Sequence, residues 1–353
     1  MLAFKYISKH YLKYFFIILI ALVLFMVGFD YMQNAQKLSK SANLTLIYLV
    51  YKSFFALDTI LPLALIFGMI STKIFLMRSN ALVSFYSLGY SRVAILRPFI
   101  VVSTIIIIIY ISLHSWSSFS RAQEYSNNIR SHSQYLSPTR DLFFTYKDKY
   151  IYFSNMLPLQ EKAIGIRIFT LKNNYLKEVL VASSAVYRDE HWLVRSADVI
   201  TKPDDMNFSS SGIKVTKVHN LQTLAGFRPK MLDQVYEGKV NYTIKNAIDA
   251  LILLHGENIN TNNIRTALYK IFIYPFFVPS LIVIIFFLVP ISVRSLNVSL
   301  FSFGAVLATL LVWGILFMLN ELANGKTIPS EVGVILPVFI LFLIAFIQYR
   351  RYK

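Results

Sequence analysis

The chain has 353 residues, 56% of them hydrophobic, with a mean hydropathy of +0.55 and a formal net charge of +17. So apolar a composition excludes a soluble globular domain and requires an integral membrane protein. Outside residues 114–270 the acids are Asp30, Asp58, Glu321 and Glu331 alone. The positive excess therefore belongs to the membrane part, where topology signals and anionic headgroups account for it better than nucleic acid does. The absence of cysteine excludes disulfides and thiolate metal sites.

Lys5, Lys9 and Lys13 precede a first apolar run at residues 11–29. No small-residue cleavage site follows, so the run is predicted to be an uncleaved first span with the N-terminus inside. An external segment with Lys37, Lys40 and Lys52 leads to span 2, residues 54–76, which contains Pro62 and Gly68. Lys73 near its inner end is expected to snorkel to the interface. Residues 77–98 then form an inner loop, and span 3 covers residues 99–113.

The inner loop is the most informative stretch. Leu82, Val83, Phe85 and Tyr86 fall at helical spacing, which predicts a short amphipathic helix closed by Gly89. Arg78, Arg92 and Arg97 bracket it, and it contains no acid. A helix tethered at both ends on the cytoplasmic side is shaped to dock on a partner; the plainer alternative is a loop lying in the interface.

Residues 115–261 differ in character. Stretches at 142–154, 164–172, 177–188, 191–200 and 213–221 are rich in β-branched and aromatic residues. Turn signals such as Lys172-Asn173-Asn174 and Lys202-Pro203-Asp204-Asp205 separate them. This spacing predicts an antiparallel β-sandwich or jelly-roll domain, followed by a short helix at 242–257. Span 4 (271–291, with Pro275, Pro279 and Pro290), span 5 (300–319) and span 6 (332–348) complete the chain. The cationic end at Arg350-Arg351-Tyr352-Lys353 places the C-terminus inside too. The predicted plan is membrane α-helical: residues 1–113 with three spans and a coupling helix at 78–92, an external β domain at 114–262, and three spans in 263–353.

No GxxxxGK[ST], HExxH or GxSxG pattern occurs, and the six histidines are scattered. No catalytic residue, metal site or cofactor is assigned. A membrane-bound enzyme acting on a lipid-linked sugar would need convergent acids or a metal site. An ion-coupled transporter usually places ionisable groups within its spans, which are scarce here. A lipoprotein-release permease typically has four spans with its large domain after the first. A sensor or structural anchor would not need an amphipathic inner loop. Lys37, Lys40 and Lys52 admit two readings: solvated or headgroup-facing lysines, or a cationic ring that meets phosphate on an amphipathic substrate.

Nearly the whole chain resembles the LptF/LptG permeases of lipopolysaccharide export. The resemblance rests on Asp58-Thr59-Ile60-Leu61-Pro62-Leu63-Ala64 opening span 2, on Arg78-Ser79 and Ser87-Leu88-Gly89-Tyr90-Ser91-Arg92 in the loop, and on the three-plus-three plan. Phe29-Asp30 and Tyr146-Lys147-Asp148-Lys149-Tyr150-Ile151-Tyr152 are more similar to the LptG branch, with the paired LptF subunit as the alternative. The resemblance implies a non-catalytic subunit of an ABC transporter in the bacterial inner membrane, which extracts lipopolysaccharide or lipooligosaccharide. It implies as partners an LptB-type ATPase dimer using ATP and Mg, a second LptF/LptG-type permease, and an LptC-type protein that continues a periplasmic β bridge. ATPase coupling would fall on Arg78, Ser79, Asn80, Leu82, Phe85, Tyr86, Gly89 and Arg92, and lipid phosphates on Lys37, Lys40 and Arg130. Two departures stand out. The glutamate that usually follows the loop's Arg-Ser is missing, Asn80 standing in that region. The lysine usual in span 1's outer turn is replaced by Met26-Val27-Gly28-Phe29.

Overall fold

A computed structural model describes residues 2–38, 42–131, 139–146, 149–157, 161–172, 175–189, 191–203, 212–225, 227, 243–254, 261–288 and 298–352. Two compact units emerge. One comprises Met1–Ser131, Asn241–Ala247 and Asn262–Lys353; the other comprises His132–Val240 and Ile248–Thr261.

The first unit is helical, and six of its helical segments are long and apolar enough to cross a membrane. Helices α1 (Leu2–Leu38) and α2 (Ala42–Arg78) have 37 residues each. At 1.5 Å per residue they reach about 55 Å, against about 30 Å of hydrocarbon. Hydropathy marked only their apolar middles; the Lys-, Gln- and Asn-bearing ends continue as helix because those residues are adequate helix formers once a helix is nucleated. Pro62 sits inside α2 without ending it. Gly68 is where α1 comes closest: a Cβ there would stand 3.0 Å from the Cα of Phe15. The buried Tyr11 hydroxyl donates to the Leu65 carbonyl at 3.1 Å across the same contact.

Short helix α3 (Ala81–Ser87) separates α2 from α4 (Arg92–Leu113). Two helices follow, α5 (Ser117–Ser120) and α6 (Ala122–Ser131). Sequence pattern missed both, because the side they bury, Phe119, Ala122 and Ser126, is small and partly polar. A further helix, α7 (Ile244–Leu254), lies within the predicted 242–257.

Span 4 is broken in two. Helix α8 (Asn262–Phe272) gives way to a tight turn at Tyr274–Phe276, and α9 (Phe277–Leu288) resumes. Pro275 causes the break; Pro279 falls in the first turn of α9, where no backbone donor is needed. The halves keep different company: α8 packs on α10 (Val298–Asn324) and on the wide turn Glu331–Ile335 that opens span 6, whereas α9 packs on α2, α4 and α11 (Leu336–Arg351). Asn262 clamps the α8 contact, donating to the carbonyls of Ala323 (2.9 Å) and Ile328 (3.3 Å) and accepting from the Ser330 N–H (2.9 Å). Gly333 lets the turn press on α10, since a Cβ there would lie 2.5 Å from the Ala323 Cβ. Spans 2 and 4 form the interior, with 72% and 61% of their most apolar stretches buried; spans 1, 5 and 6 turn outward, at 17%, 17% and 22%.

The described strands of the second unit form one antiparallel sheet in sequence order: β1 (Thr139–Tyr146), β2 (Lys149–Leu157), β3 (Lys162–Lys172), β4 (Tyr175–Arg188), β5 (His191–Thr201) and β6 (Lys214–Thr223). The expectation of membrane helices with an inserted antiparallel β domain holds. The described strands form a meander in a single sheet, where a sandwich would divide them between two. The stretch 142–154 falls on two paired strands rather than one, with Tyr146 opposite Lys149. One face carries the core. A row of paired residues crosses the sheet from Leu142 through Phe153, Ile166 and Ala182 to Ala197, all buried. Trp192 lies on Phe153 at 5.5 Å and donates its indole N–H to the Phe227 carbonyl at 2.8 Å. Burial fades toward β6, where Ile213 just ahead of the strand and Val215 within it are 69% and 60% exposed. Both β1 and β6 are edges of the described sheet.

Candidate functional site

The connection between α2 and α4 is fixed at every joint by local chemistry. Helix α2 ends when Asn80 adopts the left-handed conformation (φ 55°), which asparagine tolerates better than most residues. The Ser79 hydroxyl donates to the Phe75 carbonyl at 2.9 Å. Helix α3 closes at Gly89 (φ 83°), with Tyr90 N–H donating to Phe85 O (3.1 Å) and Gly89 N–H to Tyr86 O (3.0 Å). That pair of bonds is the Schellman pattern, which needs a positive φ at its closing residue. Nothing lies within 4 Å of a Cβ at Gly89, so glycine is required there for its φ alone. Ser91 then caps α4, its hydroxyl accepting from Ala94 N–H at 3.2 Å.

The faces of α3 differ from the assignment by pattern. Leu82 is wholly buried in the chain's own core. Phe85 and Tyr86 are half-buried against that core, with the Phe85 ring 6.1 Å from Tyr6 of α1 and 5.9 Å from Tyr90. Burial holds the Tyr86 phenol above its ordinary pKa. Leu82 is thus unavailable as a partner anchor, and Phe85 and Tyr86 offer only their outer edges. The exposed set is Arg78, Ser79, Asn80, Val83, Ser84, Ser87, Leu88, Gly89 and Tyr90, with Leu88 74% exposed. The physical rule was available in the sequence: a helix turns its apolar stripe toward its own core, which leaves the opposite side outside. Val83, Leu88 and Tyr90 were the outward apolar residues to find.

At the opposite end of the helical unit, the cations fare unequally. Lys37 lies in the last turn of α1, and its side chain is outside the described structure; Lys40 lies outside the described residues. Arg130 sits on α6, half-buried and within electrostatic reach of Tyr48. Lys52 is committed elsewhere: its ammonium is 2.7 Å from Asp30, which also accepts the Tyr48 hydroxyl. These groups are largely buried and tie α1 to α2. Asp58 plays the matching part between α2 and α4, accepting the Tyr110 hydroxyl (2.6 Å) and lying 3.0 Å from His114 Nε2. Arg121 grips Glu124 with two bonds, at 2.7 and 2.6 Å. An aromatic shelf surrounds this end, with Phe54 against Trp116 (5.5 Å) and Tyr51 against Tyr125 (4.9 Å), as at a membrane–water boundary. Among the described residues no three His, Cys, Asp or Glu side chains gather as metal ligands.

Lys73 departs from expectation. Rather than snorkelling, it is 3% exposed, and its ammonium meets the carbonyl of Phe286 on α9.

Residues 5–351 match the family model of the lipopolysaccharide export system permease LptF/LptG. No individual curated protein matches the chain. The match spans both units and all six candidate spans, and the chain belongs to this family.

Proposed function

We propose that this chain is the LptG-type subunit of the exporter, lifting lipopolysaccharide or lipooligosaccharide from the bacterial inner membrane under the drive of a separate ATPase. Family membership makes it a permease subunit of lipopolysaccharide export and a multi-pass membrane protein. The observation that carries the finer reading is the α2–α4 connection: a short helix, closed at both ends, anchored inward by Leu82 and offering an outward face. With no phosphate-binding loop in the chain, ATP and Mg act in the partner dimer, and work crosses a protein–protein contact. The contact face comprises Arg78, Asn80, Val83, Leu88 and Tyr90, edged by Phe85 and Tyr86. With no acid in residues 77–98, apolar burial and arginine hydrogen bonds carry it.

In this reading both termini are cytoplasmic and the sheet is periplasmic. Outward-facing spans 1 and 5 meet a second LptF/LptG-type permease across the lipid cavity. Lys37, Lys40 and Arg130 receive lipid phosphates at the external end, whereas Lys52 is held by Asp30. The edge strands of the described sheet, β1 and β6, suit an LptC-type partner by strand addition. The LptG branch is favoured by Phe29-Asp30 and by residues 146–152.

Co-expression tests this. The chain, a family ATPase and a second family permease should purify as one complex through detergent exchange. A chain that purifies alone under conditions where the other two remain soluble refutes the proposal.

A further inference from the structure

At the α3 end of the helical unit, both flanks of the α2–α4 connection are tied to the second half of the chain by a cation. On one flank Lys73 lies just over a turn before the end of α2. Its ammonium meets the Phe286 carbonyl and stands 4.0 Å from the centroid of the Phe286 ring. Phe286 is in the last described turn of α9, and Pro290, four residues on, has no N–H to offer its carbonyl. On the other flank Arg92 opens α4 with its guanidinium 5.4 Å from the Tyr352 ring at the end of α11. The two flanks meet: Phe287 stacks on the same Tyr352 ring, centroids 4.7 Å apart and planes 11° from parallel.

Lys73 is not placed where a solvated cation would sit, and Arg92 is half-buried. Among the described residues no carboxylate pairs with Lys73, which is almost wholly buried in a membrane-spanning helix. Such a position is costly unless the ammonium keeps a partner. Arg92 occupies a helix N-terminus, where the dipole opposes a positive charge, so the ring of Tyr352 is the compensating contact. Aliphatic packing would hold the helices together without either arrangement. A cation bound to one carbonyl and one ring gives a directional, breakable tie.

We propose that Lys73, Arg92 and the Phe286-Phe287-Tyr352 cluster form a latch that carries displacement of α3 to spans 4 and 6. Lys73 and Arg92 act as positioning residues for transport. The inference rests on the reading of α3 as the ATPase-docking element. Spans 4 and 6 hold no part of that docking face, so force reaches them through contacts of this kind. Because span 4 is broken at Tyr274–Phe276, a pull on Phe286 moves α9 together with α11, on which it packs, while α8 stays on α10 and the turn Glu331–Ile335.

The test uses the complete complex in vesicles and measures lipid transferred per ATP hydrolysed. Lys73→Met keeps the stem and removes the ammonium. It should leave assembly and ATP hydrolysis in place and lower the transfer ratio by about fivefold or more, the lower end of usual coupling between sites. Lys73→Arg, which keeps a cation, should recover most of the ratio. Tyr352→Ala reads the same latch from its exposed end, so a folding defect in Lys73→Met does not spare the inference. Tyr352→Phe, which keeps the ring, should behave as wild type. An unchanged ratio in either Lys73→Met or Tyr352→Ala overturns the latch, as does an equal loss in Lys73→Arg. A wild-type chain that neither assembles nor transports refutes the permease reading itself.

Discussion

Leu82 and Leu88 are both leucines of the inner connection, six residues apart, and the structure assigns them opposite work. Leu82 is fully buried and Leu88 is 74% exposed. Leu82→Ala empties a packed core position and should cost about 2–5 kcal/mol of folding stability. Its effect on ATPase binding should follow only from the loosened seat of α3. Leu88→Asp should shift folding stability by no more than about 0.5 kcal/mol, as surface changes do. If Leu88 is an anchor buried by the ATPase, the same change should cost about 2 kcal/mol or more of binding, roughly a thirtyfold loss of affinity. The measurement pairs thermal unfolding of the purified chain with titration of the ATPase onto it. A Leu88→Asp chain that binds normally, or a Leu82→Ala chain that is stable but fails to bind, would refute this division of faces.

Phe85→Ala should fall between these two, losing some stability and some binding, since its ring is half-buried on Tyr6; unfolding and titration of that variant check it. Gly68→Ala should destabilise by about 1–3 kcal/mol, because its Cβ would press on the Phe15 backbone 3.0 Å away, as read by thermal unfolding. Lys52→Ala should cost about 3 kcal/mol by leaving Asp30 buried without its cation, and Lys52→Ala with Asp30→Asn should recover much of that loss. Replacing Lys37, Lys40 and Arg130 together by alanine should weaken lipid binding and flatten its salt dependence, leaving the unfolding temperature near that of wild type.

The membrane plan was legible because an apolar run of hydrocarbon length has one common explanation. Its helix ends were not. Hydropathy stops at the lipid boundary, but the backbone of α1 continues to Leu38 and that of α2 begins at Ala42. The amphipathic stripe of α3 was legible as a helix but not in direction: Leu82, Phe85 and Tyr86 point by pattern to a partner, or else to the membrane interface, and packing with α1 and α2 turns them to the chain's own core instead. Lys73 was misjudged for a related reason. Snorkelling is the usual recourse of a lysine near a span end, and the carbonyl that keeps it inside comes from Phe286, 213 positions away. Lys52 carried a local hint in Asp30, but ion pairing between helix ends depends on their crossing, which composition does not encode. In the β domain the alternating stretch 142–154 covers two paired strands, Tyr146 opposite Lys149, because alternation runs through both without a break in pattern.

ATP-driven release of lipopolysaccharide from vesicles is the most direct test of the account. Vesicles containing this chain, its second permease and the ATPase should hand lipid to a soluble β-bridge acceptor only when ATP and Mg are present, and transfer should fall in Leu88→Asp although the chain remains folded. Transfer that proceeds without the ATPase, or that is indifferent to Leu88→Asp while ATP is hydrolysed, would contradict the claim that this chain is a permease driven through α3.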